Sequence, residues 1–158
     1  MKEEYKVYAS TTRLGRGVAW LLLVLWLPLS MPAHGEEAIA LRDTVAAGAF
    51  LNARYDVALE EFRKLAQANP NNILVLRYLA ITLGRLQRYD EAVRIFQEAL
   101  AIAPNNVALH FHLGAAYYNA RQGAMARQSF TQVRELAPDS RYAQLAWEYL
   151  DALAQQDN

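Results

Sequence analysis

The chain contains no cysteine among its 158 residues. This absence excludes disulfides, thiolate metal sites, a cysteine nucleophile and the lipidated cysteine of bacterial lipoproteins. An excess of charge is absent too, because 16 basic side chains balance 16 acidic ones. We therefore expect no long-range attraction to nucleic acid. With 54% hydrophobic and 20% charged residues, the composition indicates one modest folded domain.

Side chains that carry catalysis are also scarce. Beyond residue 35 the only serines are Ser129 and Ser140, and neither lies in a nucleophile-elbow sequence. His110 and His112 are two positions apart, so on a helix they point to different sides and do not suit a shared metal ion. The chain has no glycine-rich phosphate loop and no H-E-x-x-H motif. We expect a protein that is not an enzyme and needs no metal or cofactor.

The N-terminal segment 1–35 has the layout of a secretory signal. Basic side chains precede an apolar run over positions 18–29. This run is shorter than the ~20 residues that a membrane-spanning helix needs. The small residues Ala33 and Gly35 fit a cleavage site before Glu36. We predict a cleaved signal peptide over residues 1–35, and the alternative is an uncleaved anchor with its basic side in the cytoplasm.

A signature of alanine, phenylalanine and proline recurs every 34 residues in the remainder of the chain. In each copy the phenylalanine lies four positions after the alanine, and the proline lies eight positions after the phenylalanine. The copies are Ala58, Phe62, Pro70; Ala92, Phe96, Pro104; and Ala126, Phe130, Pro138. Self-similarity at such a period indicates a repeat architecture in which each unit packs on its neighbours.

The apolar spacing within each unit predicts two helices. In the second unit Leu76, Leu79 and Leu83 recur at intervals of three and four, which predicts a helix from about residue 73 to residue 86. A second helix is predicted from Asp90, as its N-cap, to residue 102. The polar residues that follow each proline are expected to cap the next helix.

This pattern resembles the tetratricopeptide repeat, whose consensus is W-x2-L-G-x2-Y, then A-x3-F, then P. The third unit matches best, with Leu113, Gly114 and Tyr117 in place and His110 where the family often has tryptophan. The first helix of the first unit is the most divergent. The resemblance implies an all-α fold, a right-handed superhelical stack of helix-turn-helix repeats called an α-solenoid. It also implies that the protein mediates protein contacts.

The register divides residues 36–158 into three repeats and a cap. The repeats are predicted over about 37–72, 73–106 and 107–140, with a capping helix over 141–155. The signature alanines are expected where the two helices of a unit cross, and the phenylalanines are expected to fill the space toward the next unit. Most positions on the outer side of the cap are polar. Trp147 is the exception, and it either lies flat over the end of the core or contacts a partner.

The first helix of each unit is expected to line a concave groove with the stripe opposite its core stripe. The second and third units provide the predicted partner-binding residues, Leu74, Arg77, Tyr78, Ile81, Arg85, Phe111, His112, Tyr118 and Asn119. Tyr78 and His112 are expected at the margin of the groove. The first unit is predicted to add Ala40, Asp43, Ala47, Phe50 and Leu51. Such a surface suits a peptide, with arginines pairing with carboxylates or backbone carbonyls.

Some members of the family grip a C-terminal carboxylate with lysine, asparagine and arginine side chains. The corresponding positions here are Asp43, Ala47, Tyr78, Ala108 and His112, so the resemblance does not imply that clamp. It implies a protein or peptide partner, no nucleic acid, and membrane contact only through an uncleaved N-terminal segment. Two hypotheses remain, a periplasmic adaptor in a bacterium and a self-associating or membrane-tethered scaffold on the periplasmic side of the inner membrane.

Overall fold

The computed structural model describes residues 44–156, which form seven α-helices and no strand. The helices are α1 (Val45–Leu51), α2 (Tyr55–Ala68), α3 (Ile73–Arg85), α4 (Tyr89–Ile102), α5 (Val107–Asn119), α6 (Gly123–Leu136) and α7 (Arg141–Gln156). The all-α prediction is therefore confirmed. The predicted signal segment 1–35 and the predicted groove residues Ala40 and Asp43 lie outside the described residues.

Polar side chains begin the helices that follow the signature prolines. The side-chain oxygen of Asn72 accepts a hydrogen bond from the backbone N–H of Val75 at 3.1 Å. Asn106 accepts one from Leu109 at 3.1 Å, and Ser140 caps α7 in the same way. These bonds satisfy N–H groups that have no partner inside the helix. The predicted caps of α3, α5 and α7 are confirmed.

The N-cap predicted at Asp90 is wrong. Helix α4 already begins at Tyr89, so Asp90 lies in its first turn, and the cap residue Arg88 makes no side-chain hydrogen bond to the helix end. The reason is the preceding turn, which carries the chain directly from one helix into the next. An acidic side chain in the first turn still stabilises the helix through its dipole.

The turn inside each unit depends on one residue with left-handed backbone. These residues are Ala53, Gln87 and Arg121, with φ of 56°, 60° and 59°. In the second unit the N–H of Arg88 then donates to the carbonyl of Leu83 at 2.9 Å, and the third unit repeats the bond between Gln122 and Tyr117. This pattern is the Schellman motif, which usually has glycine at the left-handed position. All three turns use another residue.

Successive helices pack against each other along the whole series. The three signature alanines and three signature phenylalanines are buried. Phe62 stacks on Tyr78 of the next unit with ring centroids 5.8 Å apart, and Phe96 stacks on His112 at 5.9 Å. Residue 146 is alanine in the same register, and Phe130 stacks instead on Tyr149 at 4.7 Å. Each phenylalanine thus joins its unit to the following one.

The first helices of successive units also touch directly. Helix α3 contacts α5, and α5 contacts α7, more extensively than the second helices contact one another. The stack is therefore tighter on the side of α3, α5 and α7, which makes this its inner side. Among the described helices, none combines the length and the apolar character that crossing a membrane requires.

Candidate partner-binding surface

The inner surface is formed by α1, α3, α5 and α7, and we call it the inner groove. Leu74, Arg77 and Ile81 are partly buried on α3, and Arg85 at the end of that helix is exposed. On α5, Tyr118 is partly buried, and the exposed Asn119 donates from its side-chain nitrogen to the carbonyl of residue 115 at 2.9 Å. The structure thus places these predicted residues on the two central helices of one surface.

Phe111 differs from the prediction that it lines the groove. Only 9% of this residue is exposed, because it is surrounded by the rings of three neighbours. Its centroid lies 5.3 Å from Tyr142, 5.8 Å from Phe130 and 6.0 Å from Tyr149. The ring therefore belongs to the core beneath the surface, where it supports α5 against the capping helix.

Tyr78 and His112 occupy equivalent places between units. Both rings stack on the phenylalanine of the preceding unit, so they are packing residues at the floor of the groove as well as margin residues. The guanidinium carbon of Arg77 lies 5.4 Å from the centroid of the Tyr78 ring. This distance is within the range of a cation–π interaction, and it orients the arginine along the surface.

Two residues of α7, outside the predicted partner-binding set, extend the inner groove. Tyr142 lies beside Phe111 and 6.3 Å from His112, and Tyr149 contacts Tyr118 edge-on at 5.1 Å. Both tyrosines remain partly exposed. The signal was available in the register, since positions 142 and 149 correspond to Leu74 and Ile81 after two further periods.

The charge on α1, α3 and α5 of the inner groove has one sign. Helices α1, α3 and α5 contain no aspartate or glutamate, whereas Arg77 and Arg85 both lie on α3. Within residues 44–156 neither arginine forms an ion pair. Acidic residues are found instead on α2 and α4, the second helices of their units. There they form ion pairs with basic neighbours: Glu60 with Arg63, Glu61 with Lys64, and Glu91 with Arg88.

The positive charge of the two arginines affects the pKa of His112. Burial, together with the charges of Arg77 and Arg85, lowers its pKa from 6.5 to about 4. Burial disfavours the protonated ring, and each arginine repels a third positive charge. The imidazole is therefore neutral at neutral pH and adds an aromatic, uncharged surface beside Tyr142.

Comparisons with known proteins agree with this architecture. The tetratricopeptide repeat family matches at residues 49–107 and again at residues 85–147. No curated protein matches the chain. Many solved structures do. The three described below share between 13% and 22% sequence identity with the chain, so they support the fold alone.

The matched structures include three with a bound peptide. The second TPR domain of human RPAP3, in complex with the HSP70 peptide SGPTIEEVD, has a TM-score of 0.63 and 22% identity, covering 69% of this chain and 88% of that one. The first TPR of Spaghetti, bound to the HSP90 peptide SRMEEVD, has a TM-score of 0.68 and 22% identity, covering 77% and 93%. The Yersinia enterocolitica chaperone SycD, in complex with a peptide of the translocator YopD, has a TM-score of 0.69 and 13% identity, covering 77% and 96%.

The two family matches overlap and together run from residue 49 to residue 147. They cover the signature positions of all three units and the first part of α7. The constant repeat period, the paired helices and the stacked phenylalanines have the same explanation, which is that the chain belongs to the tetratricopeptide repeat family.

Proposed function

We propose that this protein is a non-catalytic adaptor whose inner groove binds an acidic segment of a partner protein. The observation that carries the proposal is the distribution of charge. Arg77 and Arg85 lie on one helix of the groove, and helices α1, α3 and α5 supply no carboxylate to neutralise them. A partner that brings carboxylates would complete two bidentate pairs.

The rest of the groove suits the apolar part of such a segment. Ile81, Tyr118, Tyr142 and Tyr149 offer partly exposed apolar and aromatic area. Tyrosines give large contact area at a small cost in side-chain entropy and are enriched at interaction hot spots. The peptides SGPTIEEVD and SRMEEVD in two of the matched structures combine acidic and apolar residues, and we propose the same class of partner for this chain.

The mode of capture would differ from a carboxylate clamp. Tyr78 and His112 occupy two of the corresponding positions, and both rings are stacked between units. Carboxylates would pair instead with Arg77 and Arg85, two turns apart on α3. We therefore propose an acidic stretch running along the groove rather than recognition of a chain terminus alone.

Selection from a random peptide library tests this proposal. The chain should enrich peptides that contain aspartate and glutamate together with an aromatic or aliphatic residue. The double variant Arg77→Gln, Arg85→Gln should lose the acidic preference, because both unpaired cations are removed. The matched control Lys64→Gln, Arg94→Gln removes two cations from the second helices and should keep it. Equal acidic enrichment by both double variants would contradict the proposal.

We also propose that the repeats act outside the cytoplasm of a bacterium, in the periplasm. The support is the basic and apolar layout of residues 1–35 and the small residues before Glu36. N-terminal sequencing of the protein recovered from the periplasm should start near Glu36. A full-length N-terminus in the membrane fraction would instead favour the tethered scaffold, and recovery from the cytoplasm would contradict both versions.

A further inference from the structure

A second groove lies on the opposite side of the stack, between α2 and α4. It has a volume of about 390 Å³, and Leu76, Leu79 and Leu83 of α3 form its floor. Ala66 and Ile95 line its walls, and charged residues of both helices surround the opening. A volume within the ~300–1,000 Å³ of ligand pockets leaves ample room for an indole ring. We call this the α2–α4 groove.

The next unit shows why this groove is open. One period further on, Leu76 and Leu83 correspond to His110 and Tyr117. His110 Nε2 lies 2.7 Å from the carbonyl oxygen of Pro104, and Tyr117 Oη accepts a hydrogen bond from the side chain of Gln97 at 2.9 Å. These larger polar side chains bridge to α4 and its following turn at the corresponding place. Leucine side chains cannot form such bridges.

An occupant of matching size lies at the other end of the same chain. Trp147 of α7 is 56% exposed, and no described helix follows α7 to cover it. Its register position corresponds to Leu79 and Leu113, which are buried in complete units. The guanidinium carbon of Arg134 lies 3.7 Å from the centroid of its ring. One face of the indole is thus held by a cation while much of the ring remains exposed.

The charges around the two places are complementary. Glu148 and Asp151 are exposed on α7, one residue and one turn beyond Trp147. The rim of the α2–α4 groove contains Arg63, which already pairs with Glu91 of the same rim at 3.7 Å, and Arg94, which is exposed. Arg94 is therefore the cation that remains available to these carboxylates. The rim also contains Glu98, which offers a partner to Arg134 as it accompanies the indole. Apolar insertion surrounded by opposite charges is the usual arrangement of a specific interface.

We propose that Trp147 of one copy inserts into the α2–α4 groove of a second copy. The contact is heterologous, because the two partners use different surfaces. Each complex then keeps one free Trp147 at one end and one free groove at the other, so the association continues in one direction. The inner groove takes no part in this contact and stays available to its own ligand.

The test uses residues 36–158, because the seven helices belong to one compact unit and Trp147 is the only tryptophan after residue 35. Sedimentation velocity from micromolar to millimolar concentration should show association, and the tryptophan emission should shift to the blue as concentration rises. Trp147→Ala and Leu83→Tyr, which copies Tyr117, should each weaken self-association by about 30-fold, the size of an interface hot spot. Arg94→Glu weakens the contact without touching the core and substitutes for Leu83→Tyr if that variant unfolds.

Mixing the variants gives the decisive measurement. Trp147→Ala retains the groove and Leu83→Tyr, or Arg94→Glu in its place, retains the indole, so the mixture should form 1:1 complexes and nothing larger. A chain that stays monomeric at every concentration would overturn the proposal. This outcome includes the alternative in which the α2–α4 groove binds a side chain of a different protein. Association that survives both single substitutions would overturn it as well. Unchanged peptide selection by these variants separates this contact from the proposed function of the inner groove.

Discussion

Gly114 of α5 lies directly beneath the ring of Phe130 in α6. A Cβ atom built on Gly114 would come within 2.8 Å of Phe130 Cε1 and 2.9 Å of Cδ1. Ala80 occupies the equivalent position in the second unit. Phe96 stacks on His112, but the position equivalent to His112 after Phe130 is Ala146, and Phe130 stacks on Tyr149 instead. The Phe130 ring in this place occupies the space that a methyl group on residue 114 would take.

Gly114→Ala should therefore lower the free energy of unfolding by about 1 to 2 kcal/mol. The cost of overpacking is ~1–3 kcal/mol, and the better helix propensity of alanine returns up to ~1 kcal/mol. Gly84→Ala is the matched control, because Gly84 is also helical and a Cβ there meets no atom within 4 Å. Urea denaturation should show that Gly84→Ala stabilises the protein by up to ~1 kcal/mol. Stabilisation by both substitutions would contradict the contact.

Replacing a signature phenylalanine should be far more damaging. Phe62, Phe96 and Phe130 are buried and stacked on an aromatic ring of the next unit. Each change to alanine should cost about 3–5 kcal/mol, from lost burial and the remaining cavity. Met125→Ala, at an exposed position, should change the unfolding free energy by under ~0.5 kcal/mol. A loss below ~1 kcal/mol for any of the three would contradict its central packing role.

The depressed pKa of His112 predicts pH-dependent stability. Its pKa is about 4 in the folded protein and near ~6.5 in the unfolded chain, so between these values the unfolded chain binds more protons. The stabilisation is complete above pH ~6.5 and is lost as pH falls toward about 4, by up to ~3 kcal/mol. Denaturation at a series of pH values measures this slope.

His112→Tyr should remove that part of the slope, because Tyr78 shows that a tyrosine ring fits the equivalent stack. Arg77→Gln should raise the pKa of His112, because one repelling positive charge is removed. An NMR titration of the imidazole measures this change. An unchanged stability slope in His112→Tyr would contradict the assignment.

Replacing a left-handed turn residue with glycine should stabilise the folded protein. Gln87 has φ of 60°, and a residue with a Cβ costs ~1–2 kcal/mol in that region. Because glycine also loses more backbone entropy on folding, Gln87→Gly should raise the unfolding free energy by a net ~0.5–1 kcal/mol. Thermal and urea unfolding check this, with Gln128→Gly at an exposed position inside α6 as a control that should destabilise by ~0.5–1 kcal/mol. Destabilisation by Gln87→Gly would contradict it.

The repeat period determined the fold at the level of the backbone. It placed the buried alanines and phenylalanines, the caps at Asn72 and Asn106, and the helix at the end of the stack, because each of these depends on local spacing and local hydrogen bonds. It also placed Arg77 and Arg85 on one helix face. The positions of these residues follow from the repeat period, so they can be assigned from a single sequence.

Only the tertiary structure decided which side chains are available. Phe111 is on the predicted stripe and is nevertheless buried, because Tyr142 and Tyr149 of α7 close around it. The α2–α4 groove exists because Leu76 and Leu83 leave open the space that His110 and Tyr117 bridge one unit later. Depth and openness depend on the volumes of side chains from several helices, and a repeat period specifies positions without specifying those volumes.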